Sequence, residues 1–137
     1  MLTRRGFAGC AICSVMGGFI ATEASAQQVT TTGGVTRKIL SQLDGPAPGY
    51  VTLLVEAEIE PGVVVGRHTH PGIESGYLLE GTVTLPIQGR ETLNGKPGDF
   101  WEIPPETPHA GGPASSTKVK VLITYVVEKG KPLASPA

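Results

Sequence analysis

Two stretches of this chain have an apolar side chain at every second position, one in the middle of the chain and one near its C-terminal end. A repeat of two residues places alternate side chains on opposite faces of a β-strand, so each stretch predicts a strand with one buried face. The apolar positions are Val51, Leu53, Val55, Ala57 and Ile59 in the first stretch, and Val119, Val121, Ile123, Tyr125 and Val127 in the second. No segment after residue 26 keeps the period of an amphipathic helix, so the sequence predicts an all-β fold.

Turn-forming residues divide the rest of the chain into short segments. The 137 residues include 19 Gly and 12 Pro, with turn clusters at 44–49 and 94–99. About eight short strands separated by such turns are typical of a sandwich or a jelly-roll barrel. We therefore expect a single domain over 35–127, a flexible N-terminal arm over 27–34 and a loose C-terminal tail over 128–137.

Residues 1–26 have the features of an export signal. A short cationic start is followed by an apolar run that is too short to span a bilayer, and small residues lead up to a cleavage site after Ala26. The pair Arg4 and Arg5, with Phe7 two residues further on, resembles the twin-arginine export motif. An ordinary secretory signal is the alternative. Either signal predicts that the mature protein is exported, and we expect a periplasmic location.

Cleavage at this site changes what the mature chain contains. It removes both cysteines, Cys10 and Cys13, so we expect neither a disulfide nor a thiolate ligand. It also removes Arg4, Arg5 and Glu23, which leaves nine basic and eleven acidic residues and moves the net charge from −1 to −2. A charge this small gives no basic surface for nucleic acid and no polybasic patch for a membrane, which favours a small-molecule partner.

Four side chains of the kinds that borderline divalent metals prefer lie in two short segments. His68 and His70 are two residues apart, so an extended strand points both to the same side. Pro71 and Gly72 then break the strand, which allows Glu74 to return to the same point from the next one. His109, the third and last histidine of the chain, follows a proline-rich turn. Ordinary surface or core histidines are the alternative interpretation.

The spacing of these residues resembles the first motif of the cupin superfamily. Gly62, five residues, His68-x-His70, three residues, Glu74, six residues and Gly81 match it position for position. Gly98, Pro104 and His109 match the second motif, whereas Glu106 stands where the family has Gly and Pro113 where it has Asn. The resemblance implies a single-domain cupin jelly-roll β-barrel that binds one divalent metal through His68, His70, Glu74 and His109.

Three imidazoles and one carboxylate leave two positions open on an octahedral ion, where substrate or water can bind. Mn and Fe are the favoured metals, because a protein that folds before twin-arginine export takes its metal in the cytoplasm. Ni, Co, Zn and Cu also suit the ligand set.

The resemblance favours a metal-dependent enzyme that acts on a small oxygen-chelating molecule, as an oxidoreductase of the dioxygenase type, a decarboxylase, a lyase or an isomerase. Glu74 is the candidate catalytic base. The alternative is a non-catalytic periplasmic module that binds or senses a metal or a ligand. The alternating strands also permit a homodimer through a sheet face. We expect Trp101, Phe100, Tyr77 and Tyr125 to be core aromatics and Glu106 to be solvated.

Overall fold

The computed structural model describes residues 27–113 and 116–137, so the predicted export signal lies outside the described residues. The described residues form β-strands and turns without an α-helix, and none of them forms a helical segment suited to crossing a membrane. The strands are β1 (Val29–Thr32), β2 (Val35–Asp44), β3 (Tyr50–Ile59), β4 (Val65–Thr69), β5 (Gly72–Glu80), β6 (Val83–Leu85), β7 (Leu93–Gly95), β8 (Phe100–Ile103), β9 (His109–Pro113), β10 (Val119–Glu128) and β11 (Ser135–Pro136). The all-β prediction is confirmed.

The strands form two antiparallel sheets that share one core. One sheet has the order β1-β2-β3-β10-β5-β8 and the other the order β11-β4-β9-β6-β7. From β3 onward the chain passes from one sheet to the other at almost every connection, and β6–β7 is the one pair joined within a sheet. This alternation between two facing sheets is the jelly-roll arrangement, so the predicted architecture is also confirmed.

The two alternating stretches lie side by side in the middle of the larger sheet. β3 pairs with β10 along its whole length, and β10 pairs on its other edge with β5. Their inward-facing side chains are buried together with residues of β6 and β8, and Val55, Leu78 and Val119 are almost inaccessible to solvent. Burying one such side chain contributes about 1.5–3 kcal/mol, which is why the two-residue period sets the faces of these strands.

The segments predicted as a flexible arm and a loose tail each contain a short paired strand. β1 pairs with β2 over 29–32, which extends the larger sheet by one strand. At the other end β11 pairs with β4, and Leu133 packs against the core. Both segments are short and polar and lack an alternating apolar pattern. They form strands because the edges of β2 and β4 are available for pairing.

Two of the expected core aromatics lie on the outer face of the larger sheet. Phe100 and Tyr77 are 72% and 47% exposed. Each is next to a buried neighbour, Trp101 and Leu78 respectively, and adjacent strand residues point to opposite faces. Trp101 and Tyr125 are buried as expected.

Candidate metal centre

The four predicted ligands come together between the two sheets. His68 on β4 and His109 on β9 face each other directly as a cross-strand pair in the smaller sheet. Glu74 lies on β5 of the larger sheet, and His70 lies in the link between β4 and β5. The candidate ligand atoms of all four residues lie within 4.8 Å of one another, so this cluster could hold a metal ion.

Glu74 reaches the cluster because the chain, after the link from β4 to β5, packs closely against the backbone of β10 at Gly72. A Cβ atom on Gly72 would lie 2.0 Å from the carbonyl oxygen of Val126, so only glycine permits this approach. β5 begins at Gly72, and Glu74 follows two residues later on the same inward face. The Pro-Gly break inferred from the sequence therefore has the expected geometry.

Each of the three histidines has its outer ring nitrogen beside a backbone carbonyl oxygen. The Nδ1 atoms of His68, His70 and His109 lie 2.7, 2.5 and 2.9 Å from the carbonyl oxygens of Gly66, Leu133 and Thr107. A carbonyl oxygen can only accept a hydrogen bond, so Nδ1 carries the proton and donates in all three rings. The Nε2 atom of each neutral ring is then left with a lone pair, which is the arrangement of metal-binding histidines.

The inward-facing atoms are all acceptors and do not satisfy one another. Glu74 Oε2 lies 2.7 Å from His70 Nε2 and 3.5 Å from His109 Nε2. Both Nε2 atoms are buried, and neither has a hydrogen-bond partner among the described residues. Lone pairs and a carboxylate in such close contact repel unless a proton or a cation lies between them. A divalent cation satisfies all of them at once, so these residues fit a metal ion.

The charge states of the cluster follow from burial and from the mutual contacts. Burial raises the pKa of the Glu74 carboxyl, but hydrogen bonds from His109 and His70, when each carries a proton on Nε2, and from the indole of Trp101 lower it more, so that the pKa lies well below its usual range. Burial lowers the pKa of His68. Burial also lowers the pKa of His109, but the adjacent Glu74 carboxylate outweighs it and the net pKa is raised. Glu74 is therefore ionised at neutral pH and attracts either a proton or a metal ion.

Trp101 positions the carboxylate, which sequence reasoning did not foresee. Its indole Nε1 donates a hydrogen bond of 2.8 Å to Glu74 Oε1, and Oε2 remains directed at the imidazoles. Trp101 faces Gly76 across the β5–β8 pair, and a Cβ atom there would lie 2.1 Å from the indole ring. A glycine two residues after Glu74, on the same face, is the sequence signal that a large side chain lies over this part of the strand.

A cavity with an empty volume of about 590 Å³, solvent at its mouth included, opens beside the cluster. Most of its lining is apolar, and its polar lining residues are Arg37, His68, Glu74, His109 and Tyr125. Burial, and next the charge of Glu74, raises the pKa of the Tyr125 phenol far above its usual value, although Arg37 opposes this shift. Tyr125 therefore presents a neutral hydroxyl. Neither Arg37 nor Tyr125 was assigned to the site from sequence.

Glu106 does not belong to the cavity lining, but it supports the site through its backbone. It is exposed, as expected, and its N–H donates a hydrogen bond of 3.0 Å to the carbonyl oxygen of His70. Its φ angle is +54°, in the left-handed region that favours glycine. The substitution of Glu for the motif's Gly has therefore kept the turn that leads to His109, at a cost in backbone strain.

Comparison with known proteins identifies the family. A family model described as Cupin domain matches residues 55–125, a span that contains all four candidate ligands. The chain belongs to the cupin family.

This cupin is 35% identical over 83 residues to germin-like protein subfamily T member 3 of Arabidopsis thaliana. The match covers 55% of the present chain and 37% of that protein, so the chain spans little more than a third of its curated relative.

Solved structures share the fold of this cupin. A cupin-like protein from Thermotoga maritima MSB8 is 26% identical, with a TM-score of 0.60 and 77% of each chain covered. DMSP lyase DddQ from Ruegeria pomeroyi DSS-3 is 18% identical, with a TM-score of 0.65, and the match covers 81% of this chain and 61% of that one. At 18% identity the likeness shows the fold alone.

Proposed function

We propose that this cupin binds one divalent metal ion through His68, His70, Glu74 and His109 and acts as a metal-dependent enzyme on a small oxygen-chelating molecule. The observation that carries this proposal is the pair of buried, unpartnered Nε2 atoms of His70 and His109 facing an ionised carboxylate. Mn and Fe remain the favoured metals. When bound, such an ion supplies Lewis acidity and orients an oxygen ligand.

The residues of the chain provide orientation, exclusion of water and proton transfer. The backbone carbonyls accept hydrogen bonds from the Nδ1 atoms of the three imidazoles and so orient their Nε2 atoms, and the indole of Trp101 orients Glu74 as a donor. The apolar lining restricts water around a substrate. Tyr125, kept neutral, is a hydrogen-bond donor to a substrate oxygen.

Glu74 is the proton acceptor that we assign. It is the one carboxylate that lines the cavity within residues 27–113 and 116–137. Because its pKa is held low, it accepts a proton only from a strongly acidified group of the substrate. Lyases and isomerases that remove an acidified proton are therefore candidate reaction classes beside oxygenases and decarboxylases.

A non-catalytic binding or sensing module is the second candidate function. Glu74 is the one carboxylate in the described lining of the cavity, and it is itself a candidate metal ligand. The absence of a second carboxylate from this described lining favours the binding module. In either function we propose that the protein acts in the periplasm, on the basis of its N-terminal export motif.

Metal analysis tests the centre. The full chain and its His68→Ala/His70→Ala variant are purified and the bound metal is measured by elemental analysis. We expect about one ion per chain in the parent and loss of that ion in the variant. Arg67→Ala is the matched control, because Arg67 is exposed and its guanidinium contacts the Gln88 side chain rather than the cluster. Unchanged stoichiometry in the double variant would contradict the proposal.

Turnover separates the two functions. The metal-loaded protein is incubated with dicarboxylates, enediols and catechol-like compounds, and both binding and conversion are followed. Conversion of one class supports the enzyme, whereas tight binding without conversion supports the binding module.

A further inference from the structure

The cavity beside the metal centre contains one arginine side chain that none of its polar neighbours neutralises. Arg37 lies on β2, where it pairs with the buried Ala57 of β3, and it lines the same cavity as Glu74. It is half-buried. Within 27–113 and 116–137 its guanidinium has no ion pair and no side-chain hydrogen bond.

The position of Arg37 relative to the cluster follows from the strand register. Arg37 faces Ala57, which faces Val121 of β10. Glu74 faces Tyr125, four residues further along β10. At about 3.3 Å per residue, four residues separate the two levels by about 13 Å along the strand direction. The backbone of Arg37 therefore lies at a different level of the larger sheet from the backbone of Glu74.

A partly buried arginine side chain without an ion pair carries a desolvation cost that an anion would offset. Its planar fork of donors matches a carboxylate in a two-bond arrangement. It is the one Lys or Arg in the described lining, and the lining around it is apolar, with Val35, Ile59 and Val65 among its members. One cation suits a singly charged carboxylate better than a doubly charged phosphate.

We propose that Arg37 is the specificity-determining residue of this site and binds a carboxylate of the substrate, separate from the oxygens directed at the cluster. The substrate class is then a small organic acid with an oxygen-chelating head, a short apolar segment and a distal carboxylate. This proposal rests on the metal centre proposed above.

Two probe compounds test the proposal without any substitution. The full chain, loaded with Mn²⁺, is titrated by calorimetry with 2-oxoglutarate and with 2-oxopentanoate, which share the chelating 2-oxo acid and differ in the distal carboxylate. We expect 2-oxoglutarate to bind about 10- to 100-fold more tightly, as a charge-assisted pair in a partly dry site would give. Equal Kd values for the two compounds would overturn the proposal.

Substitutions then assign the preference to one side chain. We expect Arg37→Gln to abolish the preference for 2-oxoglutarate and to leave the Kd of 2-oxopentanoate unchanged. Arg37→Lys keeps the positive charge but loses the planar pair of donors, so it should retain part of the preference. Lys38→Gln is the matched control, because Lys38 is the next residue of β2 and points to the opposite face. This substitution removes one positive charge, as Arg37→Gln does. A preference that survives in a folded Arg37→Gln protein would overturn the proposal, and if that variant does not fold, Arg37→Lys and the two-compound comparison decide.

Bound manganese, measured in every sample, separates the two claims. A parent protein that holds no manganese contradicts the metal centre itself. A parent protein that holds one ion and binds both compounds equally contradicts only the role of Arg37.

Discussion

The indole Nε1 of Trp101 and the carboxylate Oε1 of Glu74 form a buried hydrogen bond of 2.8 Å between β8 and β5. This contact leaves Oε2 of the same carboxylate facing the imidazoles of His70 and His109. A ligand that is held by an outer partner does not have to be ordered when the metal binds. We therefore expect the metal affinity of the cluster to depend on Trp101, a residue that is not itself a candidate ligand.

Trp101→Phe removes the indole N–H donor and keeps a buried aromatic ring. We expect metal affinity to fall about 10- to 100-fold, as for other outer partners of metal ligands. The metal-free protein should lose about 1–3 kcal/mol of unfolding free energy, because Glu74 Oε1 is left buried and unpaired. Chelator competition and urea unfolding measure the two effects. Phe100→Leu is the control, since Phe100 is the adjacent exposed residue, and equal effects of the two substitutions would contradict the role of Trp101.

Gly76→Ala tests the same contact from the opposite strand. The new Cβ would lie 2.1 Å from the indole ring, so Trp101 must move away from Glu74. Overpacking of this kind costs about 1–3 kcal/mol, and metal affinity should fall in parallel. Gly66→Ala is the matched control, because a Cβ at Gly66 meets nothing within 4 Å and alanine keeps the backbone carbonyl that faces His68. If Gly76→Ala binds metal as tightly as Gly66→Ala, the indole is not held as described.

Deletion of residues 133–137 should weaken the metal centre from outside the matched family segment. The carbonyl oxygen of Leu133 accepts the hydrogen bond from His70 Nδ1, and β11 pairs with the strand that carries His68. Without them His70 loses its fixed tautomer and orientation, so we expect a loss of about 10-fold or more in metal affinity. Leu133→Ala keeps the carbonyl and removes only the side chain, so it should bind metal nearly as tightly as the parent. Unchanged affinity in the truncated protein would show that the tail is not part of the site.

Glu106→Gly should stabilise the protein slightly. Glu106 has a φ of +54°, which costs a non-glycine residue about 1–2 kcal/mol, whereas glycine adds about 0.5–1 kcal/mol of entropy to the unfolded chain. The expected net gain in unfolding free energy is about 0–1.5 kcal/mol. Glu106→Ala removes the carboxylate but keeps the Cβ, so it should give no gain. A gain of equal size in both variants, measured by urea unfolding, would assign the effect to charge rather than to backbone strain.

The strand faces and the ligand cluster were readable from sequence because both depend on local spacing. The two-residue period from Val51 to Ile59 places alternate side chains on the core face in any sheet that buries one side. Likewise His68, His70 and Glu74 lie within seven residues, with a Pro-Gly break between them, so their convergence needed only one strand reversal.

The remaining parts of the site depend on contacts between residues far apart in the chain. Trp101 reaches Glu74 because β8 pairs with β5, Leu133 reaches His70 because the tail adds to β4, and Arg37 enters the cavity because β2 extends the sheet beside β3. Spacing along the chain carries no information about which strand edges meet, since many pairings bury a given apolar face equally well. In this cupin, local residue order specifies the candidate metal ligands, whereas the packing of the two sheets selects the side chains that orient these residues and line the cavity.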